Sequence, residues 1–492
     1  MTTTARPDRQ PDLPELPAIT PTIERNGINV IAPVERKGQA SDLFWPWCGA
    51  NIGVLGMGYA VYLLFANVSF WQALIAGVIG IVLSYLLVGF TSLAGKRGSA
   101  PTMVLSRAAF GFLGNKLPTL VSYLLLVGFE TVTVVLCIFA VDTVFLRLGW
   151  SDGVLTRVIA FVVVATVIGT AGFLGFDTVM RFQKYITLVM IVLTIGYLVL
   201  TFKHIDVTVL RRLPTGGISA FIGALVIGFT LFGLSWTNTG ADYSRYLPTT
   251  VRGSRVIGWT TLGGAIGPVF LILFGLLLTG SSPALATAVG ASQIGGLGTI
   301  LPTWYLIPFI LVALLGQIGG AVLDIYSSGL ALLSLGLRIP RYSAVLIDGV
   351  IMVLGTIYLV WIAPGNFFGS FFGFLITLGV PIAAWTGIFL ADLSLRRSDY
   401  VDDDLYTGRG RYGAVNWAAV LLMLVGSFGG FGLVVNQVNW LSWQGYLLGP
   451  FGLGGRTGSW ASSNLGIVLS LAIGFFGYLV LCRQRVAAQE RV

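Results

Sequence analysis

The chain has 492 residues, of which 55% are hydrophobic and only 10% charged, with a formal net charge of +9. A soluble domain of ordinary composition is roughly 25% charged. So few charges cannot cover a water-facing surface, which excludes a soluble globular enzyme. One histidine and three cysteines that show no pairing or metal spacing exclude a histidine-based metal or triad site and a disulfide framework.

Residues 1–42 are polar, rich in Pro and Arg, and have no apolar core. They read as a disordered cytoplasmic tail and not as a cleaved signal peptide; the first span acts as its own insertion signal. Twelve apolar runs follow, most of them reaching the ~20 residues that cross the hydrocarbon core as a helix. Their expected bounds are about 43–67, 71–92, 117–141, 155–175, 184–202, 219–244, 257–280, 303–336, 343–361, 366–390, 415–436 and 463–482. The eighth is long enough to tilt or to extend beyond the membrane. Residues 483–492 form a second cytoplasmic tail. Cys48, Cys137 and Cys482 each lie in or beside a different run, and His204 lies in a loop.

Orientation follows from the basic residues, which favour cytoplasmic loops. With the N-terminus inside, all but six of the 29 Lys and Arg residues fall on the cytoplasmic side. The six are Arg147, Arg157, Lys203, Arg211, Arg212 and Arg456. Moving one span would scramble this alternation. The expectation is a multi-pass protein of the cytoplasmic membrane with both termini inside and lipid around it. The charge is scattered over short loops, so nucleic-acid binding is not needed to explain it.

The first span carries a glycine-rich interruption, Gly49-Ala50-Asn51-Ile52-Gly53, followed by Gly56 and Gly58. The sixth carries another, Gly233-Leu234-Ser235-Trp236-Thr237-Asn238-Thr239-Gly240, about 180 residues later. The same offset carries the third span onto the eighth and the fifth onto the tenth. Five spans followed by five more have opposite topology, which gives two inverted repeats at about 43–202 and 219–390, with spans eleven and twelve added over about 415–482. The expected fold class is an all-α membrane protein with broken first and sixth helices. Paired interruptions of this kind point to a transporter's binding site, because an unwound segment in lipid persists only where other groups replace its lost hydrogen bonds. Glycines that merely allow close helix packing are the plainer explanation for one such cluster, but two clusters at matching positions favour a site.

The sixth span runs into Gly240-Ala241-Asp242-Tyr243-Ser244-Arg245-Tyr246-Leu247-Pro248, which resembles the alanine–aspartate–aromatic–x–Arg–Tyr signature of the purine–cytosine permease family, within the first class of nucleobase:cation symporters. The start of the first span, Trp45-Pro46-Trp47-Cys48-Gly49-Ala50-Asn51, is similar to that family's, as are Gly98–Thr102 with Ser106–Gly111 and Arg181–Tyr185. The resemblance spans about residues 40–480. It implies cation-driven import of cytosine, a purine or a related heterocycle by alternating access. The substrate would sit among spans one, three, six and eight. It also implies that Phe129 stacks on the base, and that Thr133 and Asp324 stand where fungal relatives place binding asparagines. Further substrate-binding candidates on the same elements are Phe232, Gly233, Ser235 and Trp236. The chemistry fits: a planar heterocycle needs a flat apolar slot with a few polar groups on its edge. Phe129 and Trp236 can supply the faces, and Asn51, Ser235, Asn238, Gln317 and Asp324 the hydrogen bonds. Gly53, Gly56, Gly58 and Gly240 mark the helix breaks.

Two acids are singled out inside apolar spans, Glu130 and Asp324. An intramembrane carboxyl is expensive and functional by default, so both are candidate proton carriers. A structural bond to a neighbouring helix is the alternative for Glu130. Asp242, at the end of the sixth span and three residues before Arg245, reads as structural or gating, through a helix-end ion pair or a cap. Sodium-coupled relatives bind the ion between first-span carbonyls and eighth-span hydroxyls, but Leu314 to Gly320 here has no Ser or Thr. Proton symport is therefore the expectation, with no cofactor and no metal. The alternative is a sodium-coupled permease for allantoin, a hydantoin, uracil or a vitamin heterocycle. The chain contains no zinc-binding HExxH, no GxSxG elbow and no P-loop, so an enzyme is disfavoured. A channel is disfavoured as well, because the loops show no ring of like charge.

Overall fold

The computed structural model describes residues 23–150, 153–362, 367–436 and 438–491. Every regular element among them is helical. Ten helices are long and apolar enough to cross a membrane, a bent pair forms an eleventh crossing if taken as one span, and the shorter apolar helix Trp417–Phe431 falls on the eleventh expected run. In chain order they are α1 (Ala40–Asn51 and Val54–Leu64), α2 (Phe70–Gly98), α3 (Lys116–Arg147) and α4 (Val154–Leu174). Next come α5 (Phe176–Thr201), α6 (Ile218–Ser244), α7 (Gly253–Ser281) and α8 (Leu306–Ser334). The last four are α9 (Arg341–Ile357), α10 (Phe367–Leu395), α11 (Trp417–Phe431) and α12 (Leu465–Gln489). Two short helices that hydropathy did not reveal, Pro283–Ala291 and Gln293–Gly298, lie between α7 and α8.

The helices sort into packed groups. α2 lies along α6 and α7, and α1 lies against α7. α3 lies along α8, with α4 and α9 packed on both. α5 bridges the groups by touching α1 and α8, while α10, α11 and α12 pack on one another. α10 and α12 outrun their expected ends. Arg396 holds both extensions, donating to Asp392 at 2.7 Å and to Gln489 Oε1 at 2.8 Å. Much of the expected C-terminal tail is therefore the last turns of α12, which hydropathy missed because these turns carry polar side chains.

The N-terminal segment also departs from expectation. Residues 1–22 lie outside the described residues, but from Ile23 onward the chain is held against the helix bundle. The Ile31 amide donates to Ser99 O at 2.8 Å, and its side chain is buried. The Lys37 amide donates to Tyr246 O at 2.7 Å, and Tyr406 donates to Ile28 O. Glu24 lies between two buried arginines, 2.9 Å from Arg245 Nη2 and 3.5 Å from Arg341 Nε. It also accepts hydrogen bonds from Tyr246, Tyr326 and the Phe176 amide. All of these partners lie at the face expected to be cytoplasmic. At the opposite face Arg147 donates to Gly298 O, Gln72 to Gly216 O at 2.8 Å, and Arg456 to Asn436 O at 3.4 Å. The loops thus separate into the same two sets that the Lys and Arg count gives.

Candidate functional site

The two interruptions differ in form. α1 bends by 63° between its halves. The bend is made by Ile52 (φ −92°, ψ 93°) and by Gly53, which is extended (φ −160°, ψ 157°). Here α1 comes so close to α8 that a Cβ on Gly319 would lie 2.8 Å from Gly49 O, and one on Gly316 would lie 3.1 Å from Gly53 Cα. α6 does not bend sharply. It leaves α-helical geometry at Phe232 (φ −110°, ψ −91°) and winds as a tighter helix over Leu234–Thr239. Its sequence explains how it survives in an apolar setting: Ser235, Thr237 and Thr239 donate to the carbonyls of Phe232, Leu234 and Trp236 at 3.2, 2.7 and 3.0 Å. Hydroxyls three residues on thus give backbone acceptors of the tightened segment an added hydrogen bond.

The breaks face a shared cavity with about 100 Å³ of free space, room for a small molecule. Its walls come from α1 (Asn51, Gly53, Gly56, Tyr59), α3 (Phe129, Thr133, Leu136) and α6 (Phe232, Ser235, Trp236). α8 adds Gly316, Gln317, Gly320 and Asp324, and α10 adds Phe371. The α3 and α8 residues recur at three, four and seven or eight positions, so each set lies on one helical face. Asn51 is held rigidly, because its Nδ2 donates to Trp47 O at 2.7 Å and its Oδ1 accepts from Tyr85 OH. Trp236 meets Trp47 edge-on with ring centroids 5.8 Å apart, and Tyr59 meets Phe232 at 5.6 Å. Gln317 and Asp324 line the cavity, and among the described residues neither side chain has a hydrogen bond or ion pair. A second cavity of about 610 Å³ lies at the face away from the N-terminal segment, lined by Tyr62, Phe372 and Asn436, and it shares Leu231 with the first.

Of the residues named from sequence, Asn51, Phe129, Thr133, Phe232, Ser235, Trp236, Gln317 and Asp324 come together at this cavity. Gly233 does not line it; its amide donates to Ser84 Oγ on α2 at 3.1 Å. Asn238 turns away and donates to Ser122 at 2.7 Å. Gly53 and Gly56 line the walls, whereas Gly58 packs on Gln293 and Gly240 on Thr91. Glu130 is fully buried outside the cavity, and among the described residues neither carboxyl oxygen has a hydrogen-bond partner. Asp242 and Arg245 do not form an ion pair with each other, one of the two arrangements expected. Asp242 accepts from the Thr102 amide and hydroxyl at 2.8 and 2.9 Å, while Arg245 goes to Glu24, Gly27 O and Tyr326. Sequence reasoning missed Tyr59, Tyr85 and Phe371. It also missed the buried Asp348 on α9, which accepts from Tyr123 at 2.7 Å and Ser328 at 3.0 Å. Asp348 gave a signal of its own as a third acid inside an apolar run.

Comparison with known proteins places this arrangement. The chain is 24% identical over 480 residues to YxlA of Bacillus subtilis (strain 168), whose name puts it among the purine-cytosine permeases; the match covers 94% of this chain and 97% of YxlA. The fold is similar to that of Mhp1, a nucleobase-cation-symport-1 family transporter, in a closed conformation with bromovinylhydantoin bound. The TM-score is 0.70 at 18% identity, over 95% of this chain and 97% of Mhp1. A sodium-coupled sialic acid symporter in an outward-open state has a similar fold, with a TM-score of 0.62 at 13% identity over 92% and 91% of the two chains. Residues 30–449 match the family of permeases for cytosine and purines, uracil, thiamine and allantoin, and the chain belongs to that family.

Proposed function

We propose that this protein is a symporter of the cytoplasmic membrane that imports a nucleobase or related heterocycle together with a proton by alternating access. The single observation that carries the reading is the cavity at the two breaks. It joins aromatic faces (Phe129, Trp236) to polar groups that have no partner among the described residues (Gln317, Asp324). A flat ring gains by stacking and by satisfying those groups. The walls come from both packed groups, α1 and α6 on one side and α3 and α8 on the other, so the site can be opened alternately by rocking one group against the other. The larger cavity that meets it at Leu231 suits the access route from outside.

The choice of proton over sodium rests on the α1–α8 contact. Glycine meets glycine there with no gap between the helices, and the Gly319 carbonyl already accepts from Gln183 Nε2 at 2.6 Å. Glu130 and Asp324 remain as the acids available to a proton. The basic loops and the N-terminal segment lie at the cytoplasmic face in this reading. The test is uptake of radiolabelled cytosine, adenine, uracil and hydantoin into proteoliposomes, in sodium-free buffer, with and without a protonophore. Uptake that collapses with the protonophore is the expected result. Uptake that needs sodium and ignores the protonophore would overturn proton coupling, and no uptake of any compound would overturn the transport reading.

A further inference from the structure

We propose that Asp324 binds the coupling proton and the substrate's hydrogen-bonding edge together, as a carboxylic acid paired with a ring nitrogen and its adjacent amino group, so that the site selects aminopyrimidine- or aminopurine-type bases. The inference rests on the cavity being the substrate site and goes further by naming the edge that is read and the place where proton and base meet.

Three of the other buried acids are already committed. Asp242 is taken by Thr102, Asp348 by Tyr123 and Ser328, and Asp392 by Arg396 and Tyr478. Glu130 is unpartnered but lies outside the cavity. Asp324 is 4% exposed, lines the cavity, and has no hydrogen bond or ion pair among the described residues. Asp324 acts electrostatically on Glu130 from α3 and Tyr243 from α6, and Tyr59 of α1 shares the cavity wall with it. Tyr243 spends its proton on Leu323 O at 2.7 Å. α1 contributes Asn51 and no charged side chain to the walls. The cations of the remaining packed helices lie toward the loop faces: Arg341 of α9 on Gly172 O and Phe173 O, Arg157 of α4 on Asp142, Arg147 of α3 on Gly298 O, Lys184 of α5 over the Trp45 ring, and Arg181 of α5 exposed. Among the described residues no cation pairs with Asp324, so its charge must be balanced by what enters the cavity.

A carboxylate offers two acceptors side by side and fits only an edge with two adjacent donors. A carboxylic acid offers one O–H donor and one acceptor. That edge is complementary to a ring nitrogen next to an amino group, as at N3 and the 4-amino group of cytosine or N1 and the 6-amino group of adenine. A ring nitrogen is a stronger acceptor for the O–H than a carbonyl oxygen, which favours these bases over uracil or a hydantoin. One proton arrives from outside on the Asp324 carboxylate and is held in the O–H···N bond while the base is bound. It leaves to the inside after the base departs, and no other bond is made or broken. Proton and base therefore raise each other's affinity by the same factor, which couples them one to one. Gln317, seven residues earlier on the same face of α8 and roughly 10 Å away along the helix axis, is placed to read the far end of the ring.

The test uses the full chain in proteoliposomes, with radiolabelled cytosine and adenine and with unlabelled uracil, hydantoin and 4-amino-2-pyridone as competitors. The last compound replaces the cytosine ring nitrogen by C–H. In the wild type, cytosine affinity should fall as pH rises, and 4-amino-2-pyridone should compete at least about tenfold more weakly than cytosine, because it leaves the acid's O–H unpaired. Asp324→Asn fixes a donor and an acceptor in place without a proton. It should keep cytosine exchange, weakened by up to about tenfold, while losing both pH dependence and accumulation driven by a pH gradient. Asp324→Ala should lose exchange. The proposal is overturned if Asp324→Asn, eluting normally in size-exclusion chromatography, is as inactive in exchange as Asp324→Ala. It is equally overturned if Asp324→Asn still accumulates cytosine on a pH gradient. Wild-type import of uracil or hydantoin without cytosine or adenine would sink the proposal and leave the transport reading standing.

Discussion

Glu24 gives a direct handle on closure at the face that carries the N-terminal segment. Its carboxylate touches Arg245 at the end of α6 and Arg341 at the start of α9, and both arginine side chains are fully buried. It also takes hydrogen bonds from the first amide of α5, at Phe176, and from Tyr326 of α8. One side chain thus joins the end of α6 to α5, α8 and α9, elements that must part if the cavity is to open at this face. Glu24→Ala leaves two buried guanidinium groups without their shared counter-charge, a loss of about 3–5 kcal/mol for breaking one side of a buried pair. In an opened state the arginines are hydrated and the loss is small, so nearly all of it biases the equilibrium toward opening. At about 1.4 kcal/mol per tenfold, the open-to-closed ratio should rise by roughly two to three and a half orders of magnitude. Cys48 supplies the readout: it is 2% exposed and sits in the α1 half nearest this face. In a Cys137→Ala, Cys482→Ala background, a membrane-permeant maleimide should label Cys48 slowly in the parent and at least about a hundredfold faster after Glu24→Ala. Unchanged labelling together with unchanged transport would show that Glu24 is not a closure contact.

Three further outcomes are expected. Trp236→Ala removes a stacking face worth about 1–3 kcal/mol, so competition binding should show substrate affinity lower by about 5- to 150-fold with the protein still folded. Tyr85→Phe deletes the hydroxyl that donates to Asn51 Oδ1; initial-rate measurements should show a raised KM, by about fivefold or more, with the maximal rate changed less. Gly319→Ala places a Cβ 2.8 Å from Gly49 O, a backbone atom that cannot yield cheaply, and should lower the melting temperature and transport together through about 1–3 kcal/mol of overpacking. Gly349→Ala on α9, where a Cβ meets nothing within 4 Å, is the neutral control for that comparison.

What sequence made legible was whatever depends on local composition. Long apolar runs located the spans, and glycine with polar residues inside two of them located the breaks. What it missed depends on helix phase and on distant partners. Glu130 follows Phe129 directly, yet one step around a helix is about 100°, which takes it from the cavity wall into the protein interior. Gly233 and Asn238 sit in the right stretch of α6, but the tighter winding there turns them toward Ser84 and Ser122. Composition also failed for the segment from Ile23 to Asp42. It looks like a polar tail, but its anchoring acid is matched by arginines more than two hundred residues away.

The unequal forms of the two breaks bear on how binding can be coupled to movement. The α6 break is tied to α2: Gly233 donates to Ser84, Ser92 donates to Gly240 O, and Ser244 donates to Ser92 O. Its aromatic and hydroxyl groups therefore travel with the α2–α7 group. The α1 break rests on α8 through bare glycine backbone, with α5 beside it. A contact without interlocking side chains can pivot or slide at little cost, whereas one held by hydrogen bonds cannot. A base bound as proposed between Trp236 and Phe129 would touch one residue from each group, with its polar edge between Asn51 and Asp324. Separating the groups with the base in place sacrifices half of those contacts on whichever side opens. An occupied site would therefore favour the closed arrangement by its differential contact energy, and on the proposed coupling it would commit to one face only once the proton or the base has begun to leave.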